Sequence, residues 1–276
     1  MFGSAGTTRT GREKGLALAW LLLASSLWAT GCGSSAEKAV EQTTEQTYEV
    51  DSTGTFSIRN AAGAVRIYGS DDANMQVKTT KKGWSQEQLS EMAAKVSVQT
   101  KSVSIETVFP PEKTWRFSHR AGSVDCAITL PRTMKITRLD VGNGEVVVEG
   151  IRGGVRADLV NGDLSARNCF GDIQLSVANG GLNLSYEKWE QGMFTADARI
   201  ISGTARAFLP RRASFHLVAE TADGHVSNYL TEAKEKDSER ATKVNMSLGS
   251  DPHPEISLRA TKGNIEIAAP KTEQGG

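Results

Sequence analysis

Histidine, cysteine and proline are scarce in this chain, at four, three and seven among 276 residues. His119, His216, His225 and His253 are scattered, and none has a cysteine, aspartate or glutamate at metal-ligand spacing, so no histidine-built metal centre is expected. Charge of one sign is also lacking. Lys plus Arg and Asp plus Glu both number 32, which leaves no field to gather nucleic acid. There is no nucleotide-binding glycine loop, no nucleophile elbow and no zinc pair. Outward positions mix Ser, Asn, Gln, Arg and Asp without the convergent carboxylates of a glycan-cleaving site, so no catalytic residue and no cofactor are assigned. The apolar run Gly15–Trp28 is about 20 Å long as a helix, short of a hydrocarbon core of about 30 Å.

That run has the length of a signal-peptide core. Arg9, Arg12 and Lys14 precede it, and Ala29-Thr30-Gly31 lead into Cys32, small residues of the kind a signal peptidase needs. The segment resembles a lipobox, with Ala29 where a Leu is more usual. The resemblance implies that the Cys32 thiol takes a diacylglycerol before cleavage and that the membrane is reached through this lipid. Gly33, by the same resemblance, implies delivery to the outer membrane if the cell has two. The mature chain would hold 245 residues, 29 basic and 31 acidic. Gly33–Thr47 is polar without apolar periodicity and reads as a flexible tether with a reach of roughly 50 Å. Cys126 and Cys169 remain. Export permits a disulfide between them, and two small fillers in a β core fit as well.

From Phe56 the pattern has a period of two. Phe56 and Ile58, Val65 and Ile67, then Met75 and Val77 alternate with polar residues and predict short strands. Ser85-Gln86-Glu87-Gln88 has the form of a capping box, with Leu89, Met92 and Ala93 on one face of a short helix. Strands resume over 96–99, 103–107 and 124–130. The loop Phe109–Phe117 is rich in Pro and aromatics, and Trp84, Trp115, Phe109 and Phe117 read as a cover for one end of the fold.

Gly144, Gly153, Gly162, Gly171 and Gly180 then recur every nine residues, and alternate ones follow an Asn. Between them Val146 and Val148, Val155, Ala157 and Leu159, Leu164 and Ala166, Ile173, Leu175 and Val177, and Leu182 and Leu184 keep phase. The full period is eighteen residues, two short strands with two corners. A lone hairpin cannot bury its apolar face, whereas coils stacked on one another share a core. A β-sandwich also spaces its strands at 8–12 residues but does not demand a fixed nine-residue step. The expected fold is all-β: a right-handed single-stranded β-solenoid of about 18-residue coils, with a small N-terminal α+β cap containing one helix. The expected organisation is a signal peptide over 1–31, the lipidated cysteine and tether over 32–50, the cap over 51–135 and the repeats over 136–270.

The strings AGAVRIYG (62–69), NGEVVVEG (143–150), NGDLSARN (161–168) and KGNIEIAAP (262–270) resemble those of the bacterial β-strand-repeat proteins known as "putative adhesins", a family of unknown function. The resemblance rests on core and corner positions over roughly residues 50 to 270. It implies the fold and carries over no functional residue. The glycine repeats lack the GGxGxD string of a calcium β-roll. One coil step stacks Glu145 over Asp163, about 4.8 Å apart, a like-charge pair that a cation could relieve. The reading of function is a membrane-anchored, non-enzymatic, adhesin-like envelope lipoprotein with a protein or glycan ligand. A periplasm-facing structural or envelope-stress protein that binds another protein comes second, and a glycan-active enzyme third.

Overall fold

Alternating apolar residues can bury one face only if the strands that carry them stack in register, and the chain does this almost throughout. The computed structural model describes residues 39–110, 122–190, 192–230, 241–249 and 254–271. Cys32, Trp115, Phe117, His119, His253 and the charged segment 231–240 lie outside them. In chain order the elements are β1 (Val40–Glu49), β2 (Thr55–Ala62), β3 (Val65–Ser70), β4 (Asn74–Gly83), α1 (Gln86–Glu91), β5 (Ala93–Gln99), β6 (Ser102–Val108) and β7 (Ser123–Pro131). There follow β8 (Lys135–Glu149), β9 (Val155–Arg167), β10 (Ile173–Ser185), β11 (Thr195–Phe208), β12 (Phe215–Asp223), β13 (Val226–Asn228), β14 (Lys243–Leu248) and β15 (Glu255–Ala268). The protein is thus nearly all β, and its strands form one open sheet that is not closed into a barrel.

The central strands are parallel. β8, β9 and β10 pair with Gly144 beside Gly162 and Gly162 beside Gly180, the eighteen-residue step expected from the sequence. Each long strand bends at this glycine, and the buried positions change phase there: Leu159 is buried before the bend and Leu164 after it. All the inward residues anticipated between the glycines are buried in one continuous core. The bend is a column of glycines, Gly63, Gly144, Gly162, Gly180, Gly203, Gly263 and Gly224. Gly162 has φ of +130° and Gly180 of +134°, and a Cβ on either would collide with the carbonyl oxygen of the glycine one strand back. Beside the column, Asn161 Nδ2 donates to Asn143 Oδ1 at 2.8 Å and Asn179 Nδ2 to Asn161 Oδ1 at 3.1 Å. At the other corner Gly153 and Gly171 lie against backbone rather than at positive φ, and Gly154 takes the positive φ instead.

Strand order departs from chain order at both ends. β2 and β3 pair parallel with β8, and β6 and β7 lie outside them, so parallel pairing continues across the boundary expected between 135 and 136. At the far end β15 slots between β11 and β12, so the last strand in sequence is not the last in space. The edges are antiparallel: β5 beside β6, β4 beside β7 with β1 outside it, and β14 beside β12. The tether expected over Gly33–Thr47 is shorter than its composition implied, because residues from Val40 onward are strand β1. Ser85 caps α1 as expected, accepting from Gln88 N at 3.1 Å, while the Gln88 side chain reaches back to Trp84 N at 2.7 Å.

Candidate functional site

In a parallel stack each outward position of one strand lies beside the same position of the next, about 4.8 Å away. Surface chemistry therefore comes in rows. On the side of the strands before the glycine bend, one row runs Asp140, Asp158, Ser176, Arg199, Arg259, Glu220 across β8, β9, β10, β11, β15 and β12. The row nearer the bend holds Val160, Ala178, Ile201, Thr261 and Ala222. Between these rows, over β10, β11, β15 and β12, lies an open trough of about 740 Å³ lined by Ser176, Arg199, Ile201, Glu220, Arg259 and Thr261. Its walls are the long side chains, and the small Ala222 is the outward residue at its β12 end.

The charges of this side are arranged in pairs. Arg138 bonds Asp140, Arg156 stands 3.8 Å from Asp158, and Arg59 lies 3.8 Å from Asp140. Arg199 reaches Asp197 with Nε at 3.2 Å and also with Nη2. Lys243 stands 3.7 Å from Glu220. The Arg259 side chain makes no hydrogen bond or ion pair among the described residues, although Arg199 and Glu220 flank it in register. Sequence reasoning missed this site. Its outward alternation is visible, but that β15 neighbours both β11 and β12 is not.

Glu145 and Asp163 are neighbours in register, as the coil step requires. Arg66 bonds Glu145, and the next strand presents Gly181 at this position, so the row offers no third carboxylate. Among the described residues no group of three or more His, Cys, Asp or Glu stands close enough to hold a metal ion. His216 meets Ser247 at 2.9 Å through Nδ1. Cys126 and Cys169 are free thiols buried in the core, which decides between the two readings of the pair. Burial pushes Cys126 up to about 12, with Asp125 adding, and Cys169 up to about 11. At the second corner Phe170, Tyr186, Trp189, Phe194 and Phe215 form a ring cluster with centroids 5.4 to 5.7 Å apart. The Tyr186 phenol is buried there without a hydrogen-bond partner among the described residues, and burial raises its pKa well above the usual value.

No family model and no curated protein matches this chain. Solved structures do. A "putative cell adhesion protein" from Clostridium sporogenes is 17% identical, with 83% of this chain and 100% of that chain covered and a TM-score of 0.48. A "putative adhesin" from Bacteroides fragilis is 13% identical over 84% and 98% of the two chains, with a TM-score of 0.31. Another from Parabacteroides merdae is 11% identical over 82% and 81%, with a TM-score of 0.34. These bacterial structures carry the adhesin name to which the repeat strings pointed. At such identities and scores the likeness bears on neither ligand nor activity.

Proposed function

We propose that the protein is a lipid-anchored, non-enzymatic β-solenoid that displays its outer faces as an adhesin-like binding surface. Coils of eighteen residues, wound right-handed, account for the parallel step from β8 through β10 and for the glycine column. Residues 1–31 serve as the signal peptide, and Cys32 carries the lipid. The anchor is then eight residues from the first strand, a reach of at most about 28 Å. Along the stack, the trough at β11 and β15 lies roughly 35 Å from β1, at about 4.8 Å per strand.

The observation that carries this reading is the set of in-register outer rows, with an open trough among them in which the Arg259 side chain has no ion-pair partner among the described residues. A rigid, periodic polar face binds extended ligands by matching spacing and needs no reactive group. Protease shaving of intact cells tests it, with immunoblotting, a periplasmic protein as control and a lysed sample to prove that the chain is cleavable. Cleavage in intact cells while the control survives is the expected result. Survival in intact cells with cleavage after lysis would overturn adhesion and favour a periplasm-facing role. Labelled palmitate tests the anchor, and incorporation should be lost in Cys32→Ser.

A further inference from the structure

The trough combines two neighbouring arginines, an exposed isoleucine and two hydroxyls. Five arginines stand on the outer side before the bend, Arg59, Arg138, Arg156, Arg199 and Arg259, and the first four each have a carboxylate within 4 Å. Among the described residues Arg259 has none; its in-register neighbours are Arg199 on β11 and, on β12, Glu220, which Lys243 faces at 3.7 Å. Register sets the backbones of Arg199 and Arg259 side by side, about 4.8 Å apart, and an anion between two like charges relieves their repulsion. The planar fork of Arg fits an oxyanion with two parallel hydrogen bonds. Arg199 is already held from one side by Asp197, which fixes its position.

Beside the cations runs the apolar row. Ile201 is 56% exposed and Val160 52% exposed, unusual for such side chains in this molecule, Ala178 lies between them, and Thr261 separates Ile201 from Ala222. The hydroxyls of Ser176 and Thr261 line the same trough. An anion next to an aliphatic strip, with hydroxyls on either side, matches a ring that bears one acidic group, an apolar C–H face and several hydroxyls. The volume of about 740 Å³ suits a segment of a few such rings.

We infer that this trough binds an anionic saccharide, its carboxylate or sulfate on Arg259 and Arg199 and its ring face on Ile201. This rests on the proposal that the protein is a binding module and names the class of its ligand. The test is calorimetric titration of the full-length lipoprotein in neutral detergent micelles with trigalacturonate, its neutral trimethyl ester, a sulfated trisaccharide and inorganic phosphate. Trigalacturonate or the sulfated sugar should bind at least tenfold tighter than the ester, and which of the two binds distinguishes carboxylate from sulfate. Arg259→Gln should weaken that binding at least tenfold, whereas Arg156→Gln, on the same side but already paired, should leave it unchanged. Ile201→Ser should weaken the sugar and not phosphate.

Equal affinity for acid and ester, or an unchanged affinity in folded Arg259→Gln, would overturn the inference. Phosphate binding as tightly as the sugars would reduce the site to a free-anion site and overturn the saccharide assignment. If no probe binds while the protein is still shaved from intact cells, the ligand class is wrong and the surface reading stands. If the sugars bind as expected but the chain survives shaving, the trough is correct and adhesion fails.

Discussion

At Gly162 two independent constraints meet. Its φ of +130° lies where a side chain is strained, and the space a Cβ would fill is taken by the Gly144 carbonyl oxygen. Strained backbone costs about 1–3 kcal/mol and overpacking a similar amount, so Gly162→Ala should destabilise by about 2–5 kcal/mol. Gly150 also has positive φ, +72°, but the nearest atom to a Cβ there is 3.8 Å away. Asn adopts that conformation readily, so Gly150→Asn should cost no more than about 1 kcal/mol. Urea denaturation of both variants checks the contrast, and equal losses would show that the close approach of the Gly144 carbonyl adds nothing to the cost. The buried thiols make a second prediction. Cys126 and Cys169, raised from 9.0 to about 12 and about 11, keep their protons in the folded state after the unfolded chain has lost them. Their contribution to stability is complete below pH 9 and falls as pH rises towards 11 and 12. The denaturation midpoint should drop between pH 8 and pH 10.5, and drop less in Cys126→Ala. A thiol reagent at pH 8 should label neither cysteine before unfolding.

At the scale of the element, the strands differ in what holds them. β9 and β10 are buried on one face and paired on both sides. β1 is exposed at every position except Val40 and Tyr48, which are half-buried, and among the described strands it pairs only with β4. Besides the ladder, it is held by hydroxyl bonds, Thr43 to Thr80 at 3.0 Å and Thr44 to Thr79 at 2.7 Å. Local opening of β1 should therefore be frequent, and its amides should exchange with deuterium at least a hundredfold faster than those of Leu175 and Val177. Equal protection would mean that β1 is integral to the core. The same difference explains what could be read in advance. Val155, Ala157, Leu159, Leu164 and Ala166 announce themselves by period, because burial on one face is a local property of a strand. β1 has no apolar alternation to announce it, since edge pairing alone makes it a strand. The irregularity in β8, where register shifts between Ile136 and Leu139, leaves no mark in composition. The trough was hidden for a third reason: Arg199 and Arg259 meet only because β15 returns to lie against β11.

At the scale of the molecule, stacking in register separates two deletions that each remove one long strand. Removing Val155–Asp172 takes out one eighteen-residue step and joins Gly154 to Ile173. Ile173 occupies the register position of Val155, Gly180 that of Gly162 and Asn179 that of Asn161. β8 would then meet β10 directly, with Val141 beside Val177, Val146 beside Leu182 and Val148 beside Leu184, all inward and of matching size. Because such a fold is held by contacts between neighbouring strands, the loss is one interface and a few kcal/mol. The shortened chain should melt cooperatively, roughly 10 °C lower. Truncation after Gly249 removes the last 27 residues and takes β15 from between β11 and β12. Ile256, Leu258, Ile265 and Ile267 leave the core, and β12 and β14 lose the strand that joins them to the rest. Circular dichroism melts and size-exclusion chromatography of the two variants decide the matter. The internal deletion should give a folded monomer, and the terminal truncation should give a chain with a disordered end or an exposed edge that aggregates. The opposite ranking would mean that something other than register between neighbouring strands holds the fold together.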